Sequence, residues 1–312
     1  PGALLALVAV LLAVAQWPRP RWRWRLVAVT VAFAAATVWT DALARRHPPR
    51  LEVLFFDVGQ GDAALVAFPN GRHLLVDAGP RSPFFDAGAS VVLPHLERYG
   101  IERLDAVAIS HSDSDHLGGL PALLRRVPVG RVLFGAHQRA NTKLVAETER
   151  LLDSLAVDPE YVHAGDTLLL DPSAYVQVLA PPTDSMVFVG ANDASMVLRI
   201  VYGGTRCLFA GDVERQGERW LVRHVGPFPE SDVVKVGHHG SSTSSAPEFV
   251  RRVRPDSGLA VVSVGRRNPF GLPAPSVLER WSAQNATVVT TAETGAVWLR
   301  SNGVHVERVE WR

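Results

Sequence analysis

The sequence predicts an α/β fold in which two mixed sheets pack face to face with helices outside. Three observations point there. Short apolar runs of strand character come in groups, helix-length segments fall between the groups, and the densest polar motifs follow strands. The strand candidates are 51–58, 62–68, 72–77, 104–109, 131–134, 175–179, 196–202, 205–210, 232–236, 259–264, 287–290 and 297–300. The helix candidates are 90–99, 120–127, 142–155, 214–224, 246–253 and 276–284. Pro69-Asn70-Gly71 is a turn between two early strands, and Gly118-Gly119 turns the chain into the helix that carries Pro121 in its first turn.

A chain of 312 residues is long enough for one large domain or two small ones. Formal charge is +1, so composition alone carries no nucleic-acid signature. Lysine occurs only at 143 and 235, and arginine supplies the remaining positive charge. The single cysteine, Cys207, excludes an internal disulfide and a cysteine-built zinc knuckle. It falls within a strand candidate and reads as an inert core residue.

The first 47 residues differ from the rest. Residues 3–15 and 26–40 are apolar runs, each short of the ~20 residues of a membrane span. Trp17, Trp22, Trp24 and Trp39 flank and extend them as residues of a bilayer interface do. One or two transmembrane helices are therefore expected in 1–47, a buried helical hairpin being the other reading. The chain starts at Pro1 and is expected to be part of a longer protein. Arg19, Arg21, Arg23 and Arg25 lie between the runs; Arg45, Arg46 and Arg50 follow the second. The positive-inside rule then favours a cytoplasmic first loop and an extracytoplasmic domain from residue 48 on. His47-Pro48-Pro49-Arg50 is the expected linker.

The chemistry centres on His111-Ser112-Asp113-Ser114-Asp115-His116. Four metal-capable side chains crowd one strand-to-helix loop. In an extended stretch residues two apart point alike, so His111 and Asp113 would serve one ion, and Asp115 and His116 a second. Two cations ~3.5–4 Å apart activate water against a phosphate ester. Asp212 follows the strand 205–210 after a glycine and reads as a bridging carboxylate or as the cap of the next helix. Lys235-Val236-Gly237-His238-His239-Gly240-Ser241-Ser242 follows another strand. One histidine of that pair can complete a metal shell while its neighbour points elsewhere. The working assignment takes His239 as ligand and His238 as catalytic. Lys235 is assigned to steady phosphate charge, and the hydroxyls of 241–245, Ser241 and Ser242 first, to hold phosphate oxygens. The same hydroxyls could simply cap the helix at 246–253.

Asp57 and Asp77 end strands and either support the metal loop or cap turns; Asp193 is a further metal candidate. Gly59-Gln60-Gly61-Asp62-Ala63-Ala64 matches a dinucleotide fingerprint, but only 62–68 separates it from the next turn. That length suits a strand and not the required helix, so the nucleotide reading is set aside.

His111-x-Asp113-x-Asp115-His116 resembles the metal motif of the metallo-β-lactamase fold, with Asp113 where most members carry His. One branch is closer. Asp57-Val58-Gly59-Gln60-Gly61-Asp62-Ala63, the segment 111–119, Asn192-Asp193-x-Ser195, Gly211-Asp212 and 235–241 together resemble the C-terminal domain of the ComEC family, over about residues 51–290. That family forms the inner-membrane channel for DNA uptake in competent bacteria. The resemblance implies a four-layer αββα metallo-β-lactamase fold over 48–312, preceded by the end of a membrane-embedded competence region in 1–47. It implies a binuclear metal site, nuclease activity on incoming DNA, an extracytoplasmic domain at the inner membrane and partners among DNA-uptake proteins. It makes Asp77 a mostly structural carboxylate. Asn268 aligns with a family Asn…Gly-His-Pro stretch and is assigned to substrate, while Leu272 occupies the histidine position. The third metal-site histidine, between Asp115 and Asp212, is replaced by the neighbourhood of Asn192-Asp193.

The expected activity is metal-dependent hydrolysis of a DNA phosphodiester. Two divalent ions would be held by His111, Asp113, Asp115, His116, Asp212 and His239, with Asp115 also orienting hydroxide. A carboxylate-rich, thiolate-free set favours Mn²⁺ over Zn²⁺. The alternative is a non-catalytic DNA-guiding module, motivated by Leu272 and the missing histidine. A small-ester hydrolase is a third reading that the fold allows.

Overall fold

Strand alternation builds the layers. In Leu51–Phe55, Leu51, Val53 and Phe55 face one side while Leu54 faces the other, and all four are buried. The strand must therefore be covered on both faces, which a four-layer arrangement provides. The computed structural model describes residues 49–310 apart from 137–141, 185–187, 189, 227–230 and 254–257, with scattered positions between 24 and 39. The chain divides into two compact units, Pro1–Pro49 and Arg50–Arg312. In the first, the described positions between 24 and 39 are helical, with Trp24, Phe33 and Trp39 exposed. Among the described residues no helix is long and apolar enough to cross a membrane. The apolar run 3–15 lies outside the described residues, and 26–40 is described only in part.

In the second unit the first sheet holds β1 (Leu51–Phe55), β2 (Ala63–Ala67), β3 (His73–Ala78), β4 (Ala106–Ile109), β5 (Val132–Gly135) and β6 (Pro159–Val162). The second holds β7 (Thr167–Asp171), β8 (Ala174–Ala180), β9 (Val197–Tyr202), β10 (Thr205–Phe209), β11 (Val233–Lys235), β12 (Leu259–Val262) and β13 (Thr287–Thr290). The chain then returns to the first sheet with β14 (Val297–Ser301) and β15 (Val306–Val309). Strand order is β15-β14-β1-β2-β3-β4-β5-β6 in one and β13-β12-β11-β10-β9-β8-β7 in the other. Phe55 and Phe209 stack 5.6 Å apart between the sheets, among Val66, Val176, Ile200 and Val297. Cys207 is buried in that layer, and burial pushes its thiol pKa up.

Helices cover both outer faces. Against the first sheet lie α1 (Leu93–Arg98), α2 (Ser114–Leu117), α3 (Leu120–Leu124) and α4 (Lys143–Leu155), through Leu96, Leu117, Leu120, Leu123 and Leu152. Against the second lie α5 (Arg215–His224), α6 (Pro247–Val253) and α7 (Pro275–Ser282), through Leu221, Phe249 and Trp281. A last short helix, α8 (Thr291–Thr294), follows β13. The expected helix 90–99 is divided: a π-type turn, Gly88–Val92, precedes α1. Its first glycine packs on the turn after the metal loop, where a Cβ on Gly88 would lie 2.1 Å from the Gly119 carbonyl oxygen.

Three strands were not predicted: β6, β7 and β15. All are sheet edges. Their apolar runs are short or broken: β7 has only Leu168-Leu169-Leu170, below the roughly four to eight residues that announce a strand. β6 begins with Pro159, whose missing N–H an edge tolerates, and in β15 Glu307-Arg308 separates two valines.

His95 on α1 contacts Phe56 edge-on and lies 4.4 Å from the Tyr99 ring. Burial, helped by the Arg98 charge, lowers its pKa to about 4. Between pH 6.5 and 4 the unfolded chain takes up a proton that the folded imidazole refuses, so stability falls as pH falls through that window. Urea titrations across pH will show this loss, and His95→Phe will flatten it relative to the wild type. Equal slopes for the two proteins would contradict the assignment.

Candidate metal centre

The site stands where strands end. β3 and β4 are parallel, as are β10, β11 and β12, so their C-terminal ends share an edge within each sheet. Asp77 is the penultimate residue of β3, His111 lies just past β4, Asp212 past β10 and His239 past β11. β2 runs antiparallel to β3, so its beginning, at Asp62, meets the same edge. Gly211 makes room here: a Cβ would lie 2.9 Å from Ser195 Cβ and 3.0 Å from Ser110 Cβ. His238 and His239 both adopt left-handed backbone, φ +48° and +51°, between Gly237 and Gly240. Such strain persists only where surroundings enforce it.

One atom gathers the cluster. Asp212 Oδ2 lies 3.3 Å from His116 Nε2, 3.4 Å from His239 Nε2, 3.9 Å from His238 Nε2 and 4.0 Å from His111 Nε2. Asp115 Oδ2 lies 3.2 Å from His239 Nε2. Two overlapping groups offer ligand atoms within 4.8 Å of one another: Asp62, His116, Asp212 and His239, and His111, Asp115 and His116. The expected pairing of His111 with Asp113 is present as a contact at 3.6 Å, but the Asp113 carboxylate is 58% exposed and belongs to neither group. Asp113 stands at the N-cap position of α2 without a side-chain cap bond, and His111 beside it lowers its pKa.

The imidazoles are aimed from below. Asp77 Oδ2 accepts from His116 Nδ1 at 3.0 Å and from Ser110 Oγ at 2.8 Å; Ser110 Oγ lies 3.2 Å from His111 Nδ1. The Ser263 carbonyl accepts from His239 Nδ1 at 2.9 Å. Each ring thus spends Nδ1 on the fold and presents Nε2 to the site, the usual preparation of a metal-bound histidine. The Nε2 atoms of His111 and His116 are buried with no hydrogen-bond partner. Orphaned buried nitrogens facing carboxylates are what a cation would satisfy, so these residues fit a metal.

Electrostatics agree. Burial disfavours charge on His239 and His116, but Asp212 outweighs it, with Asp62 on the first and Asp77 on the second. His239 rises to about 9, and His116 is held well above its usual value. Asp115 falls to about 2: its burial is overcome by His239 and His116. Cations are favoured throughout the cluster.

Other assignments change. The Lys235 ammonium is buried beneath the site, ion-paired with Asp62, 3.4 Å from Asp212 Oδ1, and donates to the Gly211 carbonyl at 2.8 Å. It neutralises carboxylates and does not face a substrate phosphate. Asn268 spends its whole amide on its own loop, donating to the Gly265 and Leu272 carbonyls and accepting from Phe270 N and Leu272 N. It braces that loop and has no group left for substrate. Ser241 and Ser242 remain near the surface, while Ser244 and Ser245 are buried, bonded to the Gly237 carbonyl and to Trp281 Nε1. Asp193 accepts from Glu214 N and Gly217 N at the start of α5, so it is a cap. His238 turns away from His239 and places Nδ1 2.8 Å from Glu214 Oε1. Asp62 was missed as a site residue because it opens a strand; its partner Lys235, one of two lysines, was the available signal.

Elemental analysis and calorimetry with Mn²⁺ will test the arrangement. Asp212→Ala and His116→Ala are expected to lose bound metal, Asp77→Asn to weaken it about ten- to a hundredfold, and Asp113→Ala to lose less than Asp212→Ala. The reverse order for Asp113 and Asp212 would restore the pairing read from the loop.

Comparison with known proteins adds ancestry to this geometry. Residues 56–264 match the family model described as metallo-beta-lactamase superfamily. ComE operon protein 3 of Bacillus subtilis is 31% identical over 265 residues, 80% of this chain and 33% of that one. Competence protein ComA of Neisseria gonorrhoeae is 33% identical over 260 residues, 82% of this chain and 33% of that one. The chain thus spans about a third of the length of these relatives. Igni18, a metallo hydrolase from the archaeon Ignicoccus hospitalis, superposes with a TM-score of 0.50 at 16% identity, over 84% of this chain and all of that one, and shows the fold alone. With the two helix-covered sheets and the Asp/His cluster at their rim, the family match establishes that this chain belongs to the metallo-beta-lactamase superfamily, in the company of ComEC-family competence proteins.

Proposed function

We propose that this chain is a metal-dependent nuclease that hydrolyses DNA phosphodiesters during DNA uptake. The observation that carries the reading is the single Asp212 oxygen facing four imidazoles, two of which bear orphaned buried nitrogens. The competence relatives support the DNA-uptake part. In this reading His111, Asp115, His116, Asp212 and His239 hold two divalent cations. When bound, such cations polarise the phosphodiester and lower the pKa of a water at the site. Mn²⁺ ranks ahead of Zn²⁺ because the carboxylates of Asp62 and Asp77 lie buried beside those of Asp115 and Asp212, and the one thiol, Cys207, is buried between the sheets.

The chain's own groups do the rest. Asp77 and Ser263 fix the imidazole tautomers. Asp115, a third exposed, orients the attacking oxygen from the rim. His238, a quarter exposed and steered by Glu214, presents Nε2 where a departing oxygen can take its proton. Ser241 and Ser242, near the surface beside it, offer hydroxyls to phosphate oxygens.

In the same reading residues 1–47 end a membrane-embedded region, and 48–312 lies on the extracytoplasmic side of the inner membrane, working with other DNA-uptake proteins. The interfacial tryptophans and the arginine distribution support this.

Purified chain with end-labelled single-stranded DNA is expected to cleave with Mn²⁺, to stop on chelation, and to lose at least about a hundredfold in rate as Asp212→Asn. DNA binding without cleavage under every divalent ion would favour the guiding module instead. For topology, alkaline phosphatase fused after residue 310 should be active in cells and a green fluorescent protein fusion dark; the opposite result would place the domain inside.

A further inference from the structure

We infer that Phe84 and Phe270 form a base-stacking clamp flanking the metal-binding rim, and that the rim takes single-stranded nucleic acid. This deepens the nuclease reading and rests on it for the identity of the rim. Phe84 is 99% exposed and Phe270 69%. Exposed apolar side chains are common singly. What sets these two apart is how their loops are pinned.

The loop 264–273 follows β12 of the second sheet. It leaves from Ser263, whose carbonyl orients His239, and returns at Pro273, against which Gly240 packs; Ala274 N donates to the Gly240 carbonyl at 2.8 Å. Both ends are therefore fixed to the ligand-bearing turn. Phe270 lies three residues before Pro273, so it stands within ~10 Å of that anchored end at ~3.3 Å per residue. Four hydrogen bonds from Asn268 hold the loop in shape.

The loop 80–87 follows β3 of the first sheet and is pinned in the same way. Gly79 N donates to the Asp62 carbonyl at 2.8 Å, and a Cβ on Gly61 would lie 2.9 Å from Pro80 Cδ. Ala87 N donates to the Pro80 carbonyl, Ser82 N to the Phe85 carbonyl, and Ser82 Oγ accepts from Phe84 N and Phe85 N. Each sheet thus anchors one braced loop to the ligand-bearing segments, and each loop carries an exposed phenyl ring.

Chemistry selects the occupant. Arg266 and Arg267 precede Phe270 and are exposed, supplying cations for phosphates beside a ring for a base. Aromatic faces with a basic track bind single strands without sequence preference. A duplex keeps its base faces stacked inside and offers the rings nothing. One strand of a duplex advances ~3.4 Å per nucleotide and an unstacked strand more, so ~10 Å spans at most about three nucleotides, and Phe270 meets a base close to the phosphate at the rim. A lipid surface could take the same rings, but it would press Asp113 and Asp115 against headgroups.

The test uses the full chain loaded with Mn²⁺ and a fluorescent phosphorothioate oligothymidylate, which resists cleavage. Phe84→Ala and Phe270→Ala are each expected to weaken binding about tenfold, Phe270→Trp to preserve it, and a hairpin duplex to bind all forms alike. Unchanged single-strand affinity in both alanine variants would overturn the clamp. So would loss of binding to phosphatidylglycerol vesicles with oligonucleotide binding intact. A wild type that binds the oligonucleotide but cleaves no unmodified DNA would sink the nuclease reading alone, and the affinity comparison would still decide the clamp.

Discussion

Three carboxylates, Asp62, Asp77 and Asp212, are buried at one rim of the sandwich, and everything near them answers that cost. An ionised carboxylate taken out of water is tolerated only with a partner. Lys235 answers for Asp62 and part of Asp212 from below, and Ser110 and His116 for Asp77. The far side of Asp212 is left to imidazoles, of which His111 and His116 have outward nitrogens that lack hydrogen bonds. The cluster is a site prepared for positive charge from outside.

Topology explains why the rim exists at all. Parallel strands deliver their C-terminal ends to one edge, and loops there are free to vary. This is also why so much of the centre was legible in the sequence. His111, His116, Asp212 and His239 each follow an apolar run, and a polar residue after a buried strand is placed by the strand. Asp62 obeys the same geometry in reverse: it begins an antiparallel strand, and its glycines imitate a nucleotide motif.

The illegible part concerns direction more than position. Lys235 and Asn268 sit where the sequence puts them, but they point downward and back into their own loop. Backbone angles and neighbours distant in sequence decide that. The strands β6, β7 and β15 escaped because their apolar runs are too short or too interrupted to announce a strand.

The scarcity of lysine has a practical side. Lys143 lies exposed on α4, while Lys235 is sealed under the rim. A reagent that acylates side-chain amines meets one lysine on the folded surface and two on the opened chain. Labelling stoichiometry therefore reports, without any substrate, whether the carboxylate floor of the centre is assembled.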